Sequence, residues 1–150
     1  MAETRWTPSM VEERLVEAAD VLKRLPEVRV QGYFSTWPPI VREAAEAYGW
    51  DTTHVCLGPP SPAAIDRMDE ALEWLRWLDP EDARIVWLRA SGERWKAICW
   101  KVGLQRATAH EHWLYALCVI AWRLNGRRIP GKRSRRHVIS LVREADARAL

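Results

Sequence analysis

Phenylalanine, cysteine and long apolar runs are all scarce in this chain of 150 residues, which has one Phe and three Cys beside ten Trp. Cys56, Cys99 and Cys118 are odd in number and have no CxxC spacing, which argues against a disulfide framework and a zinc site. We interpret them as reduced packing thiols.

No apolar run reaches the roughly 20 residues of a membrane span. The segment Met1–Pro8 mixes acid, base and Trp, unlike a signal peptide. We therefore expect a soluble cytoplasmic protein with no membrane partner.

Motifs for catalysis, phosphate loops and metal ligation are also missing. The chain has no Gly-rich phosphate loop, no nucleophile elbow and no HExxH. The pairs His54–Cys56 and His110–His112 are too sparse for a metal site. We therefore expect no enzymatic activity, no metal, no cofactor and no small-molecule substrate.

Charge is divided unevenly along the chain. Residues 1–90 carry 10 Lys/Arg and 16 Asp/Glu, net −6, whereas residues 91–150 carry 13 and 4, net +9, which together give the overall +3. Such asymmetry favours a polyanionic partner for the basic half. The alternative is that the two halves attract each other within the fold.

A basic arm, which we define as residues 123–136, concentrates this positive charge. It contains Pro130 and Gly131, which favour a turn over a continuous helix, and it has no acid. The guanidinium group of Arg donates two hydrogen bonds at once and suits phosphate. We predict phosphate contacts from the arm and from two earlier lysines: Lys96, Lys101, Arg123, Arg127, Arg128, Lys132, Arg133, Arg135 and Arg136.

Helical periodicity is the persistent pattern, so we predict a single all-α domain. Residues 1–60 are expected to hold helices and Trp/Pro-rich loops packed on the core, residues 61–126 the helical core, and residues 127–150 the basic arm and a last amphipathic helix. The predicted helices are Ser9–Leu25 (with a Ser9–Glu12 capping box and a buried face that includes Leu22), Pro39–Tyr48, Ser61–Leu78, Asp79–Ala90, Glu93–Lys101, Gln105–Leu124 and Ser134–Ala149.

Residues 92–125 fit a helix-turn-helix, which needs two helices, a short turn and a small residue at their contact. Cys99 takes the small-residue position, and Gly103 takes the turn position, where a positive φ is free of strain only for Gly. The inward positions are Ile98, Val102, Leu104 and Ala109. The base-facing positions of the second helix are Gln105, Arg106, Ala107, His110 and Glu111, with His112 also placed outward.

Several aromatic side chains fall outside the predicted core faces. Trp77 lies among acids, with Trp74 at the edge of the same helix, while Tyr115 and Trp122 lie opposite the buried face of the long helix. Either the N-terminal part of the chain or a second copy could cover them. We therefore consider these four residues a possible oligomer face, for a homodimer or a larger homo-oligomer.

The stretch Leu78–Leu124 resembles region 4 of bacterial sigma factors and the related response-regulator-type helix-turn-helix. The resemblance covers about a third of the chain. Its matching pieces are Asp79-Pro-Glu-Asp82, Arg89-Ala-Ser-Gly92, Trp95-Lys-Ala-Ile-Cys99, Val102-Gly-Leu104, Arg106-Ala-Thr-Ala109 and Ala116-Leu117. The whole chain also resembles an uncharacterised family of small proteins from alphaproteobacteria and their phages. Sigma-like recognition helices commonly carry several outward cations, whereas here Arg106 is the only clear one.

Together these patterns favour a DNA-binding helix-turn-helix protein that acts on double-stranded DNA, as a transcriptional regulator of bacterial or phage origin. The basic arm is expected to supply most of the affinity. Two alternatives stay open: a phage packaging protein similar to a small terminase subunit, and a protein-interaction module that docks on a nucleic-acid machine.

Overall fold

The computed structural model describes residues 5–26 and 58–149, and within these ranges it contains six α-helices and no strand. The predicted all-α domain is therefore confirmed. The predicted helix Pro39–Tyr48 and Cys56 lie outside the described residues. No helix of the described ranges is long and apolar enough to cross a bilayer. The helices are α1 (Pro8–Arg24), α2 (Pro62–Leu75), α3 (Pro80–Ala90), α4 (Trp95–Val102), α5 (Arg106–Leu124) and α6 (Arg135–Ala147).

The start of α1 differs from the predicted one. Thr7 is the N-cap, and its hydroxyl accepts a hydrogen bond from the backbone N–H of Met10 at 3.3 Å. Pro8 takes the first helical position, where its fixed φ and missing N–H cost nothing. The predicted Ser9–Glu12 capping box is therefore wrong, because Ser9 already lies inside the first turn.

Two other helices are capped by the serine at which the predicted helix begins. The hydroxyl of Ser61 accepts from the N–H of Ala64 at 3.2 Å, and that of Ser134 accepts from the N–H of His137 at 3.3 Å. Asp79 takes the N-cap position of α3, but its side chain makes no capping hydrogen bond. Its contribution to that helix is therefore limited to the attraction between a carboxylate and the positive helix end.

The main core forms where α1, α2, α3 and α5 meet. Trp74 is 2% exposed there, with its indole edge-on to that of Trp6 at 5.2 Å. Leu22, which the periodicity placed on the buried face of α1, is 44% exposed, and Val21 is buried in its stead. The other buried side chains of this core are Val11, Leu15, Ala18, Ala64, Met68, Ala71, Val86, Ala116, Leu117, Ile120 and Ala121.

A second, smaller cluster lies between α5 and α6. Ile139 and Val142 of α6 pack on Cys118, with Tyr115 and Trp122 at the border. The last helix therefore covers these two aromatic side chains, in place of the N-terminal part of the chain or the second copy that the sequence suggested. Burial raises the pKa of the Cys118 thiol to about 12, so this cysteine stays protonated and acts as an apolar packing group.

The turn between α4 and α5 depends on Gly103, as the sequence predicts. Its φ is +71°, and its N–H donates to the carbonyl of Cys99 at 2.9 Å, which closes α4. A residue with a Cβ is destabilised by roughly 1–2 kcal/mol in this left-handed region. The turn geometry is thus encoded by one residue.

We expect Gly103→Ala to lower the free energy of unfolding by about 1 kcal/mol, because the Cβ strains the left-handed turn. Urea denaturation followed by tryptophan fluorescence measures this change. Gly131→Ala is the matched control, since φ there is not positive and no heavy atom lies within 4 Å of the place that its new methyl group would take. An equal effect of the two substitutions would contradict the role of the turn.

Candidate nucleic-acid interface

The helix-turn-helix segment consists of α4, the turn at residues 103–105 and α5. Ile98 and Ala109 are fully buried, and Val102 and Leu104 are half-buried, so the four predicted inward positions all face the protein. Both helices also contact α3.

The first turns of α5 form an open surface. Gln105, Arg106, Ala107 and His110 are exposed, and Arg106 has no acidic partner within the described residues. Four of the five predicted base-facing residues thus lie on accessible surface at the beginning of one helix. This is the part of a recognition helix that contacts base edges.

The fifth base-facing residue, Glu111, is engaged within the chain. Its carboxylate accepts a hydrogen bond from the Nε of Arg136 at 3.2 Å. Two predicted site residues, one for bases and one for phosphates, therefore pair with each other. The guanidinium of Arg136 offsets part of the negative charge that Glu111 would otherwise present to a phosphate, and the pair lies at a groove of about 290 Å³ between α5 and α6.

This groove adds residues that the sequence analysis missed. Ser140 and Arg143 of α6 line it together with Ala107 and His110 of α5. Arg143 is exposed and has no ion pair within the described ranges. Arg143 lies seven residues after Arg136, so the two side chains are on one face of α6. The sequence contains this spacing, but the prediction of the last helix used only its apolar residues.

The position of α6 also limits how α5 can meet DNA. From Glu111 to Trp122 the outward side of α5 is covered by α6. The major groove is about 12 Å wide, and one helix with its side chains is about 10–12 Å across. Two helices side by side do not fit, so only the uncovered residues 105–110 can enter a groove of ordinary width.

His112, which the sequence placed outward, is buried. Its Nδ1 lies 2.7 Å from Oδ1 of Asp82, and Asp82 is 1% exposed. The second carboxylate oxygen of Asp82 lies 3.8 Å from Arg135 of α6. The correction follows from tertiary packing: α3 meets α5 on the side of His112, and no local spacing indicates a partner 30 residues away.

His110 lies in an aromatic cluster at the start of the interface. Its ring is 5.3 Å from both Trp95 and Trp113, which meet edge-on at 5.6 Å. The guanidinium of Arg89 lies 5.2 Å from the centre of the Trp95 ring. These contacts fix the ring of His110 while leaving the residue exposed.

The basic arm leaves the end of α5 along two indole rings. Arg123 lies 4.9 Å from the centre of the Trp77 ring, and Arg127 lies at the same distance from Trp122. The Nε1 of Trp122 donates to the carbonyl of Arg128 at 2.9 Å. The backbone of the arm is therefore held against the protein at its beginning.

The predicted phosphate ligands divide into free and engaged cations. Lys96, Arg128, Lys132 and Arg133 are exposed and have no acidic partner among the described residues. Lys101 is bonded to Glu93. The remaining cations contact an aromatic ring, an acid or both: Arg123, Arg127, Arg135 and Arg136.

The four aromatic residues considered as an oligomer face are covered to different degrees by the same chain. Trp74 is wrong for that role, because it is buried in the core against Trp6. Trp77, Tyr115 and Trp122 are half-buried, each with a guanidinium over its ring. Burial also raises the pKa of Tyr115. These four rings do not form one open apolar surface.

Comparison with known proteins identifies a family but no activity. A family model described as a domain of unknown function, DUF6362, matches residues 23–120. No curated protein and no solved structure matches the chain. The matched range includes most of the helix-turn-helix and stops before the basic arm. Because the match spans more than half of the chain, this protein belongs to the DUF6362 family.

Proposed function

We propose that this protein binds double-stranded DNA through its helix-turn-helix and acts as a transcriptional regulator of bacterial or phage origin. The observation that carries the proposal is the open start of α5. Gln105, Arg106, Ala107 and His110 lie exposed directly after the left-handed turn. The resemblance of Leu78–Leu124 to sigma-factor region 4 supports the same interpretation.

The two parts of the interface have different tasks in this proposal. Arg106 is the one cation at the start of α5, and an Arg fork recognises the O6 and N7 atoms of guanine in the major groove. Arg128, Lys132 and Arg133 are free to contact phosphates, which contribute affinity and little sequence information. The ion pair between Glu111 and Arg136 marks the end of the exposed surface of α5, because α6 packs on α5 from there onward.

Selection of bound sequences from random double-stranded DNA tests the proposal directly. We expect enrichment of a short motif that includes guanine, because few residues of α5 can reach the bases. Failure to bind duplex DNA at low salt would overturn the proposal. Binding without enrichment would leave DNA binding in place and remove the role of α5 in base readout.

We expect Arg106→Ala to lower the preference for the selected motif over random DNA by about 10-fold, since one bidentate contact to a base contributes about 1–3 kcal/mol of discrimination. Affinity for random DNA should change much less. Fluorescence anisotropy with both duplexes measures the two affinities. Arg84→Ala is the control, because Arg84 is exposed on α3 and has no ion pair in the described part of the chain. Equal effects of the two substitutions would contradict base readout by Arg106.

A further inference from the structure

Trp100 is the most exposed large apolar side chain of the described residues. It is 89% exposed on α4, on the side opposite the fully buried Ile98. Lys96 lies one turn earlier on the same side, and Arg94 precedes the helix. Neither cation has an acidic partner in the described ranges. We call Trp100 and these two cations the tryptophan knob.

The chemistry of the tryptophan knob indicates what kind of partner surface would bind it, because its indole lies beside two cations that have no acidic partner in the described ranges. Tryptophan and arginine are among the residues most enriched at the positions that dominate the energy of protein interfaces. Cations at the rim of such a surface favour a partner with acids at matching positions. The complement of the knob is therefore an apolar cavity with an acidic rim.

The chain itself presents such a cavity on the outer side of α1. Trp6 and Met10 line its apolar part, and Glu13, Arg14 and Glu17 lie along it, around a volume of about 390 Å³. The guanidinium of Arg14 lies 5.6 Å from the centre of the Trp6 ring and within 4.0 Å of Glu17 and Glu70. Among the described residues, this leaves Glu13 as the acid of the rim that no cation engages. A methionine adapts its shape to an incoming ring and contacts aromatic rings favourably through its sulfur. We call this surface the α1 cavity.

Contacts on either side hold the α1 cavity in shape. The backbone N–H of Trp6 donates to the side-chain oxygen of Asn125 at 2.8 Å, and the amide of Asn125 donates back to the carbonyl of Trp6 at 2.8 Å. The Nη2 of Arg67 donates to Glu17 at 2.6 Å and lowers the pKa of that carboxyl. Glu13 is exposed without a cation partner among the described residues, so its charge is available.

We propose that the tryptophan knob of one copy seats in the α1 cavity of a second copy, with Lys96 near Glu13. The knob belongs to the net-positive half of the sequence and the cavity to the net-negative half, so the halves attract between copies. Because the two surfaces differ, the contact is head-to-tail and either closes into a ring or continues into a chain.

Analytical ultracentrifugation without DNA, over a wide range of protein concentration, tests the contact. We expect the wild-type chain to associate reversibly and Trp100→Ser to weaken association by at least about 30-fold, the effect of losing one dominant interface residue. Leu22→Ser is the matched control, because Leu22 is an exposed apolar residue outside both surfaces. A monomeric wild-type protein at every concentration, or association unchanged by Trp100→Ser, would overturn the proposal.

Mixing two different variants gives the sharper test. Trp100→Ser keeps the α1 cavity and loses the knob, whereas Met10→Arg keeps the knob and fills the cavity with a charge. At concentrations at which the wild-type chain associates, each variant alone should be monomeric, and their mixture should form a 1:1 dimer, because one complementary contact remains. A mixture that stays monomeric, although circular dichroism shows both variants folded, would refute the head-to-tail contact.

A charge exchange tests the register of the contact. Lys96→Glu and Glu13→Lys should each weaken association several-fold, since each places like charges opposite one another. The double variant should recover most of the loss, because the attraction is then restored with reversed sign. Losses that simply add in the double variant would show that these two residues do not meet.

Discussion

Replacing Arg128, Lys132 and Arg133 together by Gln is expected to weaken binding to random duplex DNA by about 100-fold at about 0.15 M salt. These three cations are exposed and free of acidic partners in the described ranges. Each phosphate contact contributes about 0.9 to the slope of log K against log salt concentration. Three lost contacts lower the slope by about 2.7, which corresponds to about two orders of magnitude at this ionic strength.

Fluorescence anisotropy over a salt series measures both the affinity and the slope. The matched control replaces Arg76, Arg84 and Arg148 by Gln, which removes the same formal charge from exposed sites outside the basic arm. A small, uniform decrease is expected there, since only the overall field of the protein changes. If the two triple variants lose equal affinity, or if wild-type binding is insensitive to salt, the arm does not contact phosphates.

The second large effect concerns stability. We expect Asp82→Ala to lower the free energy of unfolding by about 3 kcal/mol, because it leaves His112 without its hydrogen-bond partner in a buried site. The contact with Arg135 adds little, since that side chain is 37% exposed and its charge is screened by water. Urea denaturation measures the change.

Two further substitutions test whether the loss of stability comes from the contact between Asp82 and His112 or from the removal of any acid at the start of α3. Asp82→Asn keeps an oxygen that can accept from the imidazole, so we expect a loss of about 1 kcal/mol. Asp79→Ala removes a carboxylate three residues earlier that is exposed and makes no capping bond, so only its attraction to the helix end is lost and the effect should stay below about 1 kcal/mol. A loss in Asp82→Ala no larger than in Asp79→Ala would show that the buried pair does not stabilise the fold.

Local signals in the sequence were sufficient to place the six helices of the described residues and the turn at Gly103. Ser61 and Gly103 act within one turn of chain, so their spacing to the next residues carries the prediction. The exposed start of α5 follows from the same helical period, because buried Ile98 and Ala109 orient the two helices around the turn.

The features that were missed depend on which helices meet. His112 faces α3 because α3 packs on that side of α5, and Tyr115 is covered because α6 folds back along α5. Helical periodicity gives the faces of each helix but not the partner of each face. The ion pair of Glu111 with Arg136 has the same origin, since 25 residues separate its members.

The cover that α6 places over α5 also sets how much information the protein could extract from DNA. A helix that enters by residues 105–110 alone spans about two or three base pairs, or at most about six bits. A three-base word recurs by chance about once in 64 positions, far too often to mark one promoter among the many competing sites of a genome. Under the proposed function, selectivity must therefore come from several copies that read neighbouring words at a fixed spacing, so that target choice becomes a property of the assembly and not of the single chain.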